Sequence, residues 1–123
     1  MSTRSTDNLG YFGENLACYY LKKQGYKIIA RNFRCRRYGE IDIIASKNEV
    51  LVFIEVKTRS SSLYGQPMEA VTTVKQNKIY RCAQYFMQLK GIIHCMPILS
   101  FDVIEVFTKG MMVKALKHYP HCF

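Results

Sequence analysis

The sequence predicts a mixed α/β domain, a sheet with helices packed on it, in the order α-β-β-β-α-β. Two segments carry apolar residues at helical spacing between recognisable start and stop signals. Several short segments are rich in Ile, Val and aromatic residues, and two of them meet at a tight polar turn. With 123 residues, 49% of them hydrophobic and 22% charged, the chain suits one globular domain over residues 1–123, able to bury a core without staples. Residues 1–8 are polar and are expected to form a flexible N-terminus.

The first helix is expected from Leu9 to Gln24. Leu9, Phe12, Leu16 and Tyr20 define its apolar stripe, Asn8 its cap and Gly25 its stop. Tyr26–Phe33 reads as a strand that runs into a basic stretch. Gly39–Ala45 and Glu49–Thr58 are two more strands, joined at Lys47-Asn48, where Asn tolerates positive φ. A polar loop, Arg59–Pro67, leads toward a second helix over Val74–Lys90. Thr73 and Gln76 offer a capping box there, Gly91 a stop, and Val74, Ile79, Cys82, Phe86 and Leu89 an inward stripe. Ser100–Phe107 alternates as a fourth strand and Met111–Leu116 is a candidate fifth.

The longest apolar run, Val50–Ile54, is too short to span a bilayer, and the first ten residues lack the apolar core of a secretory signal. The expectation is a cytoplasmic protein with no membrane partner. Five cysteines, scattered and without a C-x-x-C pair, argue against a disulfide framework or a structural zinc site. His94-Cys95 and His121-Cys122 are adjacent pairs whose side chains would diverge on a strand. Eighteen Lys and Arg against nine Asp and Glu leave a net charge of +9, a field that favours a polyanion, nucleic acid first.

The hairpin concentrates the chemistry. A turn at Lys47-Asn48 sets Asp42 opposite Phe53, so alternation puts Asp42, Phe53, Glu55 and Lys57 on one face. Ile41, Ile43, Val52, Ile54 and Val56 share the other, and a one-residue slip would mix the two sets. Phosphodiester hydrolysis calls for a divalent cation that neutralises phosphate charge and activates water. Hard cations such as Mg²⁺ take oxygen ligands from one or two carboxylates. Asp42 and Glu55 supply them, the Val56 carbonyl offers a third oxygen, and Lys57 would hold the water or offset developing charge. The plain alternative is a solvated cross-strand salt bridge of little energetic consequence.

A longer string carries a resemblance: Gly13-Glu14, Gly25-Tyr26, Arg31-Asn32, Gly39-Glu40-Ile41-Asp42, Glu55-Val56-Lys57-Thr58-Arg59, Gly65, Glu69-Ala70-Val71-Thr72 and Phe101-Asp102-Val103. In this order and spacing it closely resembles the YraN-like family of uncharacterised bacterial proteins. That family looks like a branch of the restriction-endonuclease-like superfamily, near archaeal Holliday junction resolvases in fold. The resemblance implies a restriction-endonuclease-like mixed sheet flanked by helices. It lays the superfamily's Asp…(Asp/Glu)-x-Lys signature on Asp42, Glu55 and Lys57, and its first-helix glutamate on Glu14. The proline often found before the signature aspartate is Ile41 here.

The remaining candidates bind rather than react. Glu40 points to the side of Asp42 as a supporting or surface residue. Lys75 and Lys78 fall within the inward arc of the second helix, so they either snorkel outward or bind phosphate at the helix N-terminus. Arg31, Arg34, Arg36 and Arg37 lead into the carboxylate strand, with Tyr38 near for stacking, and Arg59 extends the track as a backbone clamp. Gln76 and Tyr80 are expected on the outward face, and Asp102 is read as structural. The expected function is a Mg²⁺- or Mn²⁺-dependent phosphodiesterase, endonuclease- or resolvase-like, acting on branched or single-stranded DNA. The rivals are a catalytically inactive nucleic-acid-binding module that keeps the fold, and a protein-interaction subunit. Analogy with resolvases implies a homodimer, because a two-fold junction calls for two sites.

Overall fold

The computed structural model describes residues 5–92 and 97–123. Helix α1 (Ser5–Lys23) leads into strands β1 (Lys27–Arg34), β2 (Glu40–Lys47) and β3 (Val50–Ser60). Helix α2 (Thr73–Leu89) follows, then β4 (Ile98–Lys109) and β5 (Met112–Tyr119), with short 3-10 turns at Arg36–Tyr38 and Ser61–Leu63. The strands form one sheet in the order β1-β2-β3-β4-β5. Neighbours are antiparallel except β3 and β4, a parallel pair joined through α2, as parallel neighbours require. This mixed five-stranded α/β sheet with two helices is consistent with a restriction-endonuclease-like fold.

Helix α1 ends where Gly25 adopts φ +92°. Gly25 N–H donates to Lys22 O at 3.1 Å and Tyr26 N–H to Leu21 O at 2.9 Å, which satisfies carbonyls of the last turn. The helix begins earlier than expected, at Ser5, so Asn8 lies within it rather than capping it. Its deepest contacts come from Gly13, Ala17 and Leu21, while Leu9, Phe12 and Leu16 are half-buried. A Cβ at Gly13 would overlap Thr58 Oγ1, so the missing side chain lets α1 rest directly on β3.

The β2–β3 turn falls at Asn48-Glu49, with φ +50° and +67°, not at Lys47-Asn48. Positive φ at both central residues matches the right-handed twist of a two-residue hairpin. Lys47 pairs with Val50 and Ile44 with Phe53, two residues away from the expected register, which carries Asp42 past Phe53 toward Glu55 and Val56. A slip of two preserves every side chain's face.

Both faces of the hairpin are covered. Ile43, Ala45, Val52 and Ile54 pack with Ala17 and Leu21 beneath α1. Ile44 and Phe53 pack with Ile79, Cys82 and Phe86 beneath α2, and so does Ile41, which was expected with Ile43. The crossover helix therefore covers most of the face expected to be polar, leaving the carboxylates only its end.

Helix α2 is capped by Thr72, whose Oγ1 accepts the Lys75 N–H at 3.2 Å; Thr73 is already helical, so the expected Thr73/Gln76 box does not form. Gln76 Nε2 donates instead to Val71 O at 2.9 Å. The buried stripe is Ile79, Cys82, Ala83, Phe86 and Met87, whereas Val74 and Leu89 are 67% and 58% exposed. Tyr80 turns back onto Phe101, ring centroids 4.8 Å apart, instead of pointing outward. Cys35 and Cys82 form a disulfide with Cα atoms 5.4 Å apart, a pairing that the cysteine spacing did not reveal. His94-Cys95 lies outside the described residues. Among those residues no helix is long and apolar enough to cross a membrane.

Candidate functional site

The β2–β3 ladder stops at the Ile43–Ile54 pair. From there β2 stays with β1, ending at Arg34–Glu40, while β3 continues beside β4 as far as Ser60. The two strands part, and Asp42 fills the fork. Its Oδ2 accepts the Val56 N–H at 2.8 Å, a backbone donor the ladder no longer serves. Clefts open on both sides of the fork, and Asp42 lines each of them.

On the α1 side, a cleft of about 310 Å³ brings Glu14 and Thr58 to Asp42 and Val56. The close seat of Gly13 on β3 carries the neighbouring Glu14 down to the fork. On the α2 side, a cleft of about 640 Å³ gathers Arg37, Glu40, Glu55, Lys75 and Lys78 around Asp42, with the first turn of α2 as one wall. Lys75 lies four residues before Ile79, so the buried stripe of α2 continues through it into the cleft. Its ammonium pairs with Glu55 Oε1. Glu55 Oε2 is buried and has no hydrogen-bond partner among the described residues.

The electrostatics follow from this crowding. The Asp42 carboxyl is pushed up to about 7, first by burial and then by the nearby charges of Glu14, Glu55 and Glu40, against the lowering effect of the Val56 N–H. Glu14 is also raised by burial; a hydrogen bond from Asn32 and the charge of Arg31 pull the other way. The acids of the two clefts, Glu14, Glu40, Asp42 and Glu55, are interleaved with Arg31, Arg37, Lys75 and Lys78, and their carboxylates offer oxygen donors. Among the described residues no group of three or more His, Cys, Asp or Glu could hold a metal ion by itself.

The basic residues divide into distinct settings. Arg31 Nη2 stands 3.8 Å from Glu14 Oε1 and its guanidinium lies over the Tyr11 ring, with Nε and Nη2 buried and without hydrogen bonds. Arg34 is an exposed partner of Glu40 at 3.6 Å. Arg36 lies over Tyr85, away from the carboxylates. Lys57 Nζ donates to Glu69 O at 3.3 Å, in the chain segment leading to α2. Arg59 is the outlier: the strand extends through it, and its Nη1 binds Glu105 Oε2 at 2.7 Å.

Glu105 is not among the residues the sequence singles out. It is fully buried beside Lys57 in the β3–β4 register and also accepts from Tyr119 Oη at 2.8 Å. An acid inside the β-branched run of SFDVIEVF was the available signal, since such a position needs a buried partner. Asp102 is structural, as expected: Ser100 Oγ and His118 Nε2 hold it within the sheet.

Comparison with known sequences places the chain. Residues 13–106 match the uncharacterised protein family UPF0102. A UPF0102 protein of Clostridium botulinum (strain Hall) is 54% identical over 104 residues, which cover 85% of this chain and 83% of the relative. One from Caldicellulosiruptor saccharolyticus is 50% identical over 99 residues, covering 80% and 81%. The motif string from Gly13 to Val103 lies within the matched span, and the chain belongs to the uncharacterised family UPF0102, the YraN-like proteins.

Proposed function

We propose that the strand fork is a divalent-cation-dependent phosphodiesterase site acting on DNA, endonuclease- or resolvase-like. The observation that carries this is the state of the two carboxylates. Asp42 is buried among like charges, and Glu55 beside it keeps a buried oxygen with no partner. Mg²⁺ commonly takes one or two protein carboxylates and completes its shell with water and substrate phosphate, so Asp42 and Glu55 suffice as protein ligands. When bound, the cation would neutralise phosphate charge and lower the pKa of water.

The chain's own residues do the remaining work. Lys57, two residues beyond Glu55, orients the attacking water and offsets charge on the phosphorane oxygens. Glu14 approaches Asp42 from the α1 side and accepts a proton from that water. Lys75, Lys78 and the first-turn amides of α2 hold the phosphate, since a helix N-terminus favours anions. Arg31 and Arg37 flank the site, and the net charge of +9 draws the polyanion in. A second reading, a nucleic-acid-binding module without turnover, is favoured by one observation: Lys75 already neutralises Glu55 within the chain.

The test is cleavage of end-labelled single-stranded, flapped and branched DNAs with Mg²⁺ or Mn²⁺. Cleavage should require the cation and fall roughly a hundredfold or more in Lys57→Ala. Cutting that survives both Lys57→Ala and Asp42→Asn belongs to a contaminant. Tight binding without cutting selects the second reading.

A further inference from the structure

A further cleft, of about 390 Å³, lies between the Arg36–Tyr38 turn and the outer side of α2, and it shares Tyr38 with the α2-side carboxylate cleft. Arg81, Gln84, Tyr85 and Gln88 form its α2 wall at spacings of three and four residues, so they make one stripe on the helix. Among the described residues no carboxylate lines it, and α2 contains no acidic residue. Two arginine–tyrosine pairs cross between the elements. Arg36 Cζ lies 5.7 Å from the Tyr85 ring centroid, with Nε 3.4 Å from its hydroxyl. Arg81 Cζ lies 5.5 Å from the Tyr38 centroid, with Nη1 3.4 Å from that hydroxyl.

This arrangement is held in place. Arg36 takes φ +54°, a region that non-glycine residues enter only when their surroundings demand it. The Cys35–Cys82 bond sits immediately before Arg36 and immediately after Arg81, tying the turn to the helix. Tyr85 is backed by Phe33, ring centroids 6.1 Å apart.

We propose that this cleft is a nucleobase subsite: it takes an unpaired base of a single-stranded nucleic acid whose adjoining phosphate lies in the carboxylate cleft. The guanidinium planes of Arg36 and Arg81, laid over the Tyr85 and Tyr38 rings, supply stacking surfaces, which every base can use. Gln84 and Gln88 each present both a donor and an acceptor to a base edge. Arg36 and Arg81 balance the flanking phosphates. A base-paired nucleotide has both faces covered by its stacked neighbours, so the subsite selects single-stranded segments. Shared Tyr38 makes the two clefts one track, and the subsite rests on the reading of the fork as a nucleic-acid site.

Fluorescence anisotropy on the full chain without divalent cation tests it, using labelled oligo-dT, the same oligonucleotide with abasic positions, and a duplex. The wild type is expected to bind oligo-dT on the order of tenfold more tightly than the abasic strand. Tyr85→Leu should remove most of that difference while leaving abasic binding and the salt slope unchanged, because stacking releases no counterions. Gln84→Ala with Gln88→Ala, at exposed positions, repeats the test should Tyr85→Leu fail to fold. Equal binding of oligo-dT and abasic strand by the wild type overturns the subsite alone. So does a base preference that survives in a folded Tyr85→Leu and in the Gln84/Gln88 variant. A wild type that binds no oligonucleotide overturns the subsite and the function proposed for the fork together.

Discussion

Strand β4 and the β2–β3 fork both bury acids, and the two regions satisfy them differently. On β4 every carboxylate oxygen has a donor. Asp102 receives Ser100 Oγ and the His121 N–H on one oxygen and faces His118 Nε2 on the other. Glu105 receives Tyr119 Oη and Arg59 Nη1. At the fork, Asp42 has one backbone donor and several acids for neighbours, and Glu55 has one oxygen on Lys75 and one on nothing. Paired acids of the first kind hold a sheet together. Acids left under mutual repulsion are destabilising in the bare protein and persist where a cation or proton completes them.

Stability is where this contrast breaks most visibly. Glu105→Ala leaves the Arg59 guanidinium uncompensated inside the sheet and is expected to destabilise the fold by about 3–5 kcal/mol. Asp42→Asn should do the reverse above neutral pH. The folded-state pKa of Asp42, about 7, lies above the ordinary carboxylate value of the unfolded chain. Below pH ~4 the group is protonated in both states and contributes nothing. As pH rises the unfolded chain loses its proton first, so stability falls until the folded group has also ionised, above pH 7. Asn cannot titrate and still accepts the Val56 N–H. Denaturant unfolding across this range should therefore show Asp42→Asn flatter than the wild type and more stable at pH 8. An Asp42→Asn loss as large as that of Glu105→Ala would erase the distinction.

A smaller effect sharpens the geometry. Gly13→Ala places a methyl group against Thr58 Oγ1, and overpacking of this kind costs about 1–3 kcal/mol. The helix must lift from β3, drawing Glu14 away from Asp42. The melting temperature should fall, and the Asp42-dependent slope in the pH profile should shrink with it. A lower melting temperature with an unchanged slope would show that Glu14 does not act on Asp42.

The sequence brings two of the fork's acids together without showing the fork. A register error of two residues does not change parity, and Asp42 and Glu55 meet in the α2-side cleft, whereas Lys57 lines neither cleft and reaches Glu69 O instead. The turn was misplaced because Glu49, a residue with no special liking for positive φ, takes the second central position. The fork itself was not legible: it arises because β2 follows β1 while β3 follows β4, a tertiary choice with no local marker. The same holds for Arg59, read as a phosphate contact, whose partner Glu105 lies 46 residues away. The expected inward stripe of α2 includes Val74 and Leu89, yet both are exposed, Val74 at the mouth of the carboxylate cleft. Lys75 and Lys78 are both exposed, and both line the carboxylate cleft at the start of the helix.

Thermal unfolding under Mg²⁺ or Mn²⁺ titration tests most directly whether a divalent cation completes the fork acids. The wild type should gain stability with cation at pH 8, with an apparent affinity about tenfold weaker at pH 6, where Asp42 holds its proton. Asp42→Asn should gain nothing at either pH. A wild type indifferent to the cation, or an Asp42→Asn variant stabilised equally, would contradict the account.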